Sequence, residues 1–123
     1  MDHPAILIVE DEALVGLEME LAFRDLGVAD VRWAPDLEKA RQILDSQPIA
    51  GAVLDVLLGD TEVFPLADEL ARRGIAFVFH TGHAQAGDIN RQWPGSPVFR
   101  KPAPSAEVAR GLLDILPGAA VHL

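Results

Sequence analysis

Cysteine is absent from the 123 residues. That removes disulfides, thiolate nucleophiles and sulfur-ligated zinc, and it suits a reducing compartment. Long hydrophobic runs are absent too: no stretch approaches the roughly 18 to 20 apolar residues of a membrane span, and Asp55 interrupts the most apolar of the later segments. Basic residues are scarce. Ten Lys and Arg against 19 Asp and Glu leave a net charge of −9, which argues against a nucleic-acid backbone or an anionic membrane as partner and favours a cation or a protein with a basic patch. Met1 to Pro4 carry Asp2 but no Lys or Arg, and the apolar run after them is too short for a secretory signal, so a cytoplasmic location is expected. There is no internal repeat, low-complexity tract or linker-like shift in composition. One domain over residues 1–123 is expected, long enough to bury about two-thirds of the surface of its unfolded chain.

What the chain does contain is one type of unit, repeated. Short β-rich apolar runs at Ala5 to Val9, Val31 to Ala34, Ile49 to Leu54, Ile75 to Phe79 and Pro97 to Phe99 alternate with stretches patterned at helical spacing. Leu14, Leu17 and Leu21, with Met19, Phe23 and Leu26 beside them, form a wide stripe ended by Gly27; Leu37, Ala40 and Leu44 form a second. Val63, Leu66, Ala67 and Leu70 form a third, with Pro65 in its first turn, and Val108, Leu112, Ile115 and Leu116 form the last. The fourth, within Ala84 to Trp93, is the poorest, with Gly87 and few apolar positions. Asp36 is expected to cap the second helix, and Asp60 or Thr61 the third. Continuously apolar strands are covered on both faces, and strict strand–helix alternation gives βαβ units, hence an α/β fold with a mainly parallel sheet wrapped by helices. Ligands of such sheets collect outside the carboxyl ends of the strands.

Those ends are where the polar residues stand. AILIVEDEAL runs from strand one into Glu10, Asp11 and Glu12; GAVLDVLLGD ends strand three at Asp55; FVFHTGH ends strand four at Thr81; SPVFRKP ends strand five at Lys101 and Pro102. Clustered carboxylates need a cation to stay ionised together, and hard oxygen ligands select Mg2+, with Mn2+ as substitute, over zinc. A carboxylate beside a metal and a lysine is a nucleophile suited to phosphorus, giving an acyl phosphate. Thr81 would hydrogen-bond the transferred group, and Gly82 leaves room for it to enter.

These four motifs, in this order, resemble the response-regulator receiver domain of two-component signalling over about residues 5–116. The resemblance implies a flavodoxin-like (CheY-like), doubly wound fold: a five-stranded parallel sheet in strand order 2-1-3-4-5, flanked by five helices. It implies that Asp55 accepts a phosphoryl group from a histidine kinase or histidine phosphotransfer protein, and that Asp11, Asp55 and the backbone carbonyl of Leu57 ligate Mg2+. Glu10 then acts mostly through water or hydrogen bonds. Lys101 pairs with the carboxylate and later with the phosphoryl group, Thr81 moves inward, and the Lys101–Pro102 bond is cis. Val98 stands where the family usually has an aromatic switch residue, and Gly59 where a proline is common. FHTGH partly matches the Phe-Ala-Thr-Gly pattern of an often stand-alone subgroup, through Phe79, Thr81 and Gly82.

Simpler roles are set beside these. Glu12 complements a helix dipole. Of His80 and His83, one packs and the other, His83, lies at the site mouth, where with Gly82 it governs access; no further nitrogen ligands support a zinc site. Trp33, Trp93 and the phenylalanines are expected in the core or an interface, as are Leu66, Ile89, Val98 and Phe99. The expected output is a contact with a downstream protein, made by a monomer or weak homodimer and by no nucleic acid or membrane. Because the chain ends soon after its fifth helix, a stand-alone receiver is expected, with a domain excised from a larger regulator or hybrid kinase as the alternative. A Mg2+-dependent phosphohydrolase is the other alternative; it is disfavoured because Leu57, not a second acid, lies two residues past Asp55.

Overall fold

The strand Ala5–Val9 (β1) is buried at all five positions, which requires cover on both faces of its sheet. The computed structural model describes residues 4–82 and 86–117. After β1 come α1 (Ala13–Asp25), β2 (Val31–Ala34), α2 (Leu37–Ser46), β3 (Ile49–Leu54), β4 (Leu57–Leu58), β5 (Thr61–Glu62), α3 (Phe64–Arg72), β6 (Ala76–Thr81), α4 (Ala86–Gln92), β7 (Val98–Arg100) and α5 (Ser105–Ile115). Five strands form one parallel sheet in the order β2-β1-β3-β6-β7. This is the expected 2-1-3-4-5 topology, since β4 and β5 pair only with each other. Among the described residues no helix is long and apolar enough to cross a membrane.

Successive side chains of a strand point to opposite faces, so the unbroken apolar runs serve two cores at once. Ala5, Leu7 and Val9 join Leu44 of α2, Leu66 and Leu70 of α3 and Ile89 of α4. Ile6 and Ile8 join Met19 and Phe23 of α1 and Val108 and Leu112 of α5. Each such fully buried Val, Leu, Ile, Met or Phe contributes about 1.5–3 kcal/mol. Trp93 closes the first core, stacked on Phe64 with ring centroids 5.2 Å apart and tilted on Phe79 at 5.5 Å.

The structure departs from the sequence pattern in two places. The leucine stripe of α1 faces outward: Leu14, Leu17 and Leu21 are 68 %, 51 % and 52 % exposed, while Gly16, Met19 and Phe23 are buried. These leucines share their side of the helix with Glu18, Arg24 and Asp25, so an apolar stripe chosen without its charged neighbours falls on the wrong side. Residues 57–62 are a small antiparallel ribbon, not a helix start. Helix α3 therefore begins only at Phe64, with Val63 at the N-cap, Pro65 in the first turn and no side-chain cap from Asp60 or Thr61. Strand β6 runs to Thr81, where it was expected to end. Asp36 caps α2 as expected, accepting from the Lys39 N–H at 2.8 Å.

Candidate functional site

Backbone pairing sets the site before any side chain contributes. The Asp55 N–H donates to the Val9 carbonyl at 2.9 Å, carrying the β1–β3 ladder one residue past β3 and placing Asp55 beside the end of β1. The Lys101 N–H does the same for β6 and β7, donating to the Thr81 carbonyl at 2.8 Å. The Glu10 N–H donates to the Ala34 carbonyl at 3.0 Å, holding Glu10 in line with the sheet. Residues far apart in sequence thus meet at one rim. The Lys101–Pro102 peptide bond is cis.

The side chains form a tight polar knot. Lys101 Nζ donates to Glu10 Oε1 at 3.0 Å and to Asp55 Oδ2 at 3.3 Å. Glu10 Oε2 accepts from the Glu12 N–H at 3.1 Å, and Asp11 Oδ2 accepts from the Gly59 N–H at 2.9 Å. Glu10 and Asp55 are 3 % and 5 % exposed and Thr81 is fully buried, whereas Asp11 is exposed on the rim. Burial, reinforced by the neighbouring Asp55, pushes the Glu10 carboxyl up to about 7, against the Glu12 N–H and Lys101. Burial works to lower the Lys101 ammonium, but its hydrogen bond to Glu10 and the charge of Asp55 prevail and hold it above its ordinary value.

Carboxylate oxygens of Glu10, Asp11 and Asp55 lie within 4.8 Å of one another. Three carboxylates against one ammonium leave negative charge uncompensated, and a donor set made only of oxygen fits a hard divalent cation such as Mg2+ or Mn2+. A cleft of about 290 Å³ opens over them, lined by Asp11, Asp55, Leu57, Gly59, Gly82 and Lys101. A methyl group at Gly82 would only touch Lys101, at 4.0 Å, so the cleft has room to spare there.

The sequence-predicted residues Glu10, Asp11, Asp55, Thr81 and Lys101 are brought together, with Leu57 and Gly82 on the cleft wall; His83 lies outside the described residues. His80 packs. It is 5 % exposed, its Nε2 is buried without a hydrogen-bond partner, and burial, then the charge of Lys101, lowers its pKa to about 4 against the pull of Asp55. Two contacts were not read from the sequence. One is the Gly59 N–H on Asp11, 48 positions away in sequence. The other is the Trp33 indole, which donates to the Glu10 carbonyl at 2.8 Å.

No family model and no curated protein matches the chain. Solved structures do. SdrG from Sphingomonas melonis, in solution, is 32 % identical, with 92 % of this chain and 99 % of that chain covered and a TM-score of 0.73. A response regulator receiver protein from Sinorhizobium medicae is 25 % identical over 96 % of this chain and 98 % of its own, with a TM-score of 0.81. A response regulator protein from Burkholderia pseudomallei, crystallised with a phosphorylated aspartic acid, a calcium ion and citrate, shares the fold at 19 % identity and a TM-score of 0.77, over 97 % of this chain and 70 % of that one.

Proposed function

Because the chain belongs to the response regulator receiver family, we propose that Asp55 is its phosphoryl acceptor and that the acid rim is loaded with Mg2+ when it works. The observation that carries this reading is the convergence of Asp55, Asp11 and Glu10 with the Lys101 ammonium at the mouth of one cleft. In the transfer, a bond forms between an Asp55 carboxylate oxygen and phosphorus while the bond from phosphorus to the donor's imidazole nitrogen breaks, the electron pair staying with the nitrogen. Asp11, Asp55 and the Leu57 carbonyl would hold Mg2+, which would supply positive charge for the phosphoryl oxygens. Lys101, already within hydrogen-bonding distance of Asp55, exchanges that carboxylate for a phosphoryl oxygen. Thr81, at the end of β6, hydrogen-bonds the transferred group.

The donor is a histidine kinase or histidine phosphotransfer protein. The outward leucines of α1 support a protein contact close to the cleft, since α1 starts two residues after Asp11 and exposed apolar side chains aligned on one face mark interaction surfaces. Output passes to a downstream protein, not to nucleic acid, in keeping with the net charge of −9.

Incubation with a small phosphodonor and Mg2+, followed by intact-mass measurement, tests the acceptor. The wild-type chain is expected to gain one phosphoryl group that chelation of Mg2+ prevents, and Asp55→Asn to gain none. Equal labelling of the two proteins contradicts the assignment.

A further inference from the structure

Trp33 lies on β2, an edge strand, and is 38 % exposed, yet it reaches into the acid rim. The β1–β2 ladder carries the Glu10 N–H to the Ala34 carbonyl, after which the chain passes through Pro35 to Asp36, the N-cap of α2. At the Glu10 carbonyl the hydrogen bond comes from the Trp33 indole N–H, at 2.8 Å. That carbonyl belongs to the peptide plane joining Glu10 to Asp11, so holding it fixes the direction in which both residues leave the strand.

The indole has its place because α1 leaves a gap. Gly16 is buried in the helix interior, and a Cβ built there would come within 2.7 Å of Trp33 Nε1 and 2.9 Å of Cδ1. Glycine is a poor residue inside a helix. Here the ring occupies the space that any other side chain would need. One residue on β2, one on α1 and the peptide between the two acids therefore form a single contact. On its far side Glu10 holds Lys101 at 3.0 Å and Asp11 holds the Gly59 N–H at 2.9 Å.

We infer that Trp33 is a positioning residue of the metal site: seated on Gly16, its indole N–H fixes the Glu10–Asp11 peptide so that the two carboxylates face the cation together. This rests on the reading of the rim as a Mg2+ site.

Mg2+ titration of the wild type, Trp33→Phe and Gly16→Ala, followed by amide and indole resonances in NMR and paired with thermal melts, separates the two ideas. In the wild type the Trp33 indole N–H resonance is expected to move with the same midpoint as the amides of the cleft. Trp33→Phe keeps a ring but loses the donor, and is expected to weaken Mg2+ about threefold to tenfold, the worth of one hydrogen bond. Gly16→Ala is expected to weaken it similarly by displacing the ring, with the melts confirming that the variant is folded at the temperature of the titration. A purely structural contact would not lower the affinity of a chain that stays folded. In the double variant the two losses should not add, since both remove the same contact. If the wild type saturates with Mg2+ and both single variants match it within about twofold, the inference falls and the metal site stands. If the wild type shows no saturable binding, both fall together.

Discussion

At the carboxyl ends of the strands Glu10, Asp55, Thr81 and Lys101 meet beneath a cleft of about 290 Å³; at the amino ends a cavity of about 730 Å³ is lined by Pro4, Ile6, Val28, Ile49, Ile75 and Leu116, among others. The same sheet makes both poles, and the larger hollow is the one with less chemistry. Among the described residues the only carboxylate cluster suited to a metal is at the cleft. Reactivity depends on which residue ends each strand. In a parallel sheet every strand delivers its last residue to the same rim, so one polar residue per strand is enough to build a site there.

The sharpest way to break this comparison is to damage one pole and watch the other. Leu112 is fully buried in the α1/α5 core, and its Cδ1 would lie 3.0 Å from a Cβ at Gly51. Leu112→Ala is expected to lower unfolding free energy by about 2–5 kcal/mol, read from a shifted denaturant midpoint, with Mg2+ affinity of the folded protein unchanged. A parallel loss of affinity would show that the poles are not independent.

A second experiment uses pH, on metal-free protein. Glu10 is raised from 4.5 to about 7 by burial and Asp55, so its contribution to stability is complete below pH 4.5 and lost as pH rises through 7. His80 is lowered from 6.5 to about 4 by burial and Lys101, so its contribution is complete above pH 6.5 and lost as pH falls through 4. The windows overlap and the signs oppose, so the two groups tilt the pH profile of the wild type in opposite directions. Glu10→Gln is expected to leave a chain that weakens on acidification from pH 7 to 4, and His80→Phe one that weakens on going from pH 4.5 to 7. Denaturant midpoints across this range check both slopes; parallel profiles for the two variants would contradict the assignment.

The smallest effect is expected at Gly59, whose φ of +61° in the β4–β5 turn excludes proline and strains any other L residue. Gly59→Ala should cost about 1 kcal/mol of stability and loosen the N–H that holds Asp11. A midpoint equal to the wild type's would show that the turn adapts without strain.

Much of the site was legible because the apolar runs stop at or near the residues that matter: Val9 before Glu10, Leu54 before Asp55, and Phe99 two residues before Lys101. The convergence of the strand ends followed from alternation, whereas the strand order came with the family resemblance. The buried face of α1 was misread because Leu14, Leu17 and Leu21 share the outward side with Glu18, Arg24 and Asp25, so the leucine stripe and the charges point the same way. The ribbon at 57–62 was hidden by strands of two residues each. Nothing local to Trp33 announces a hydrogen bond to a residue 23 positions earlier. Gly16, alone in a helical run, was the available sign of a close approach.

The central claim is that Glu10, Asp11 and Asp55 are held together to receive one divalent ion. An NMR-monitored Mg2+ titration of the metal-free wild-type chain tests it most directly. One saturable event is predicted, with the largest shifts at the amides of Asp11, Asp55, Leu57 and Gly59 and with marked weakening in Asp55→Asn. Shifts that never saturate, or that centre on the amino-end cavity, would contradict it.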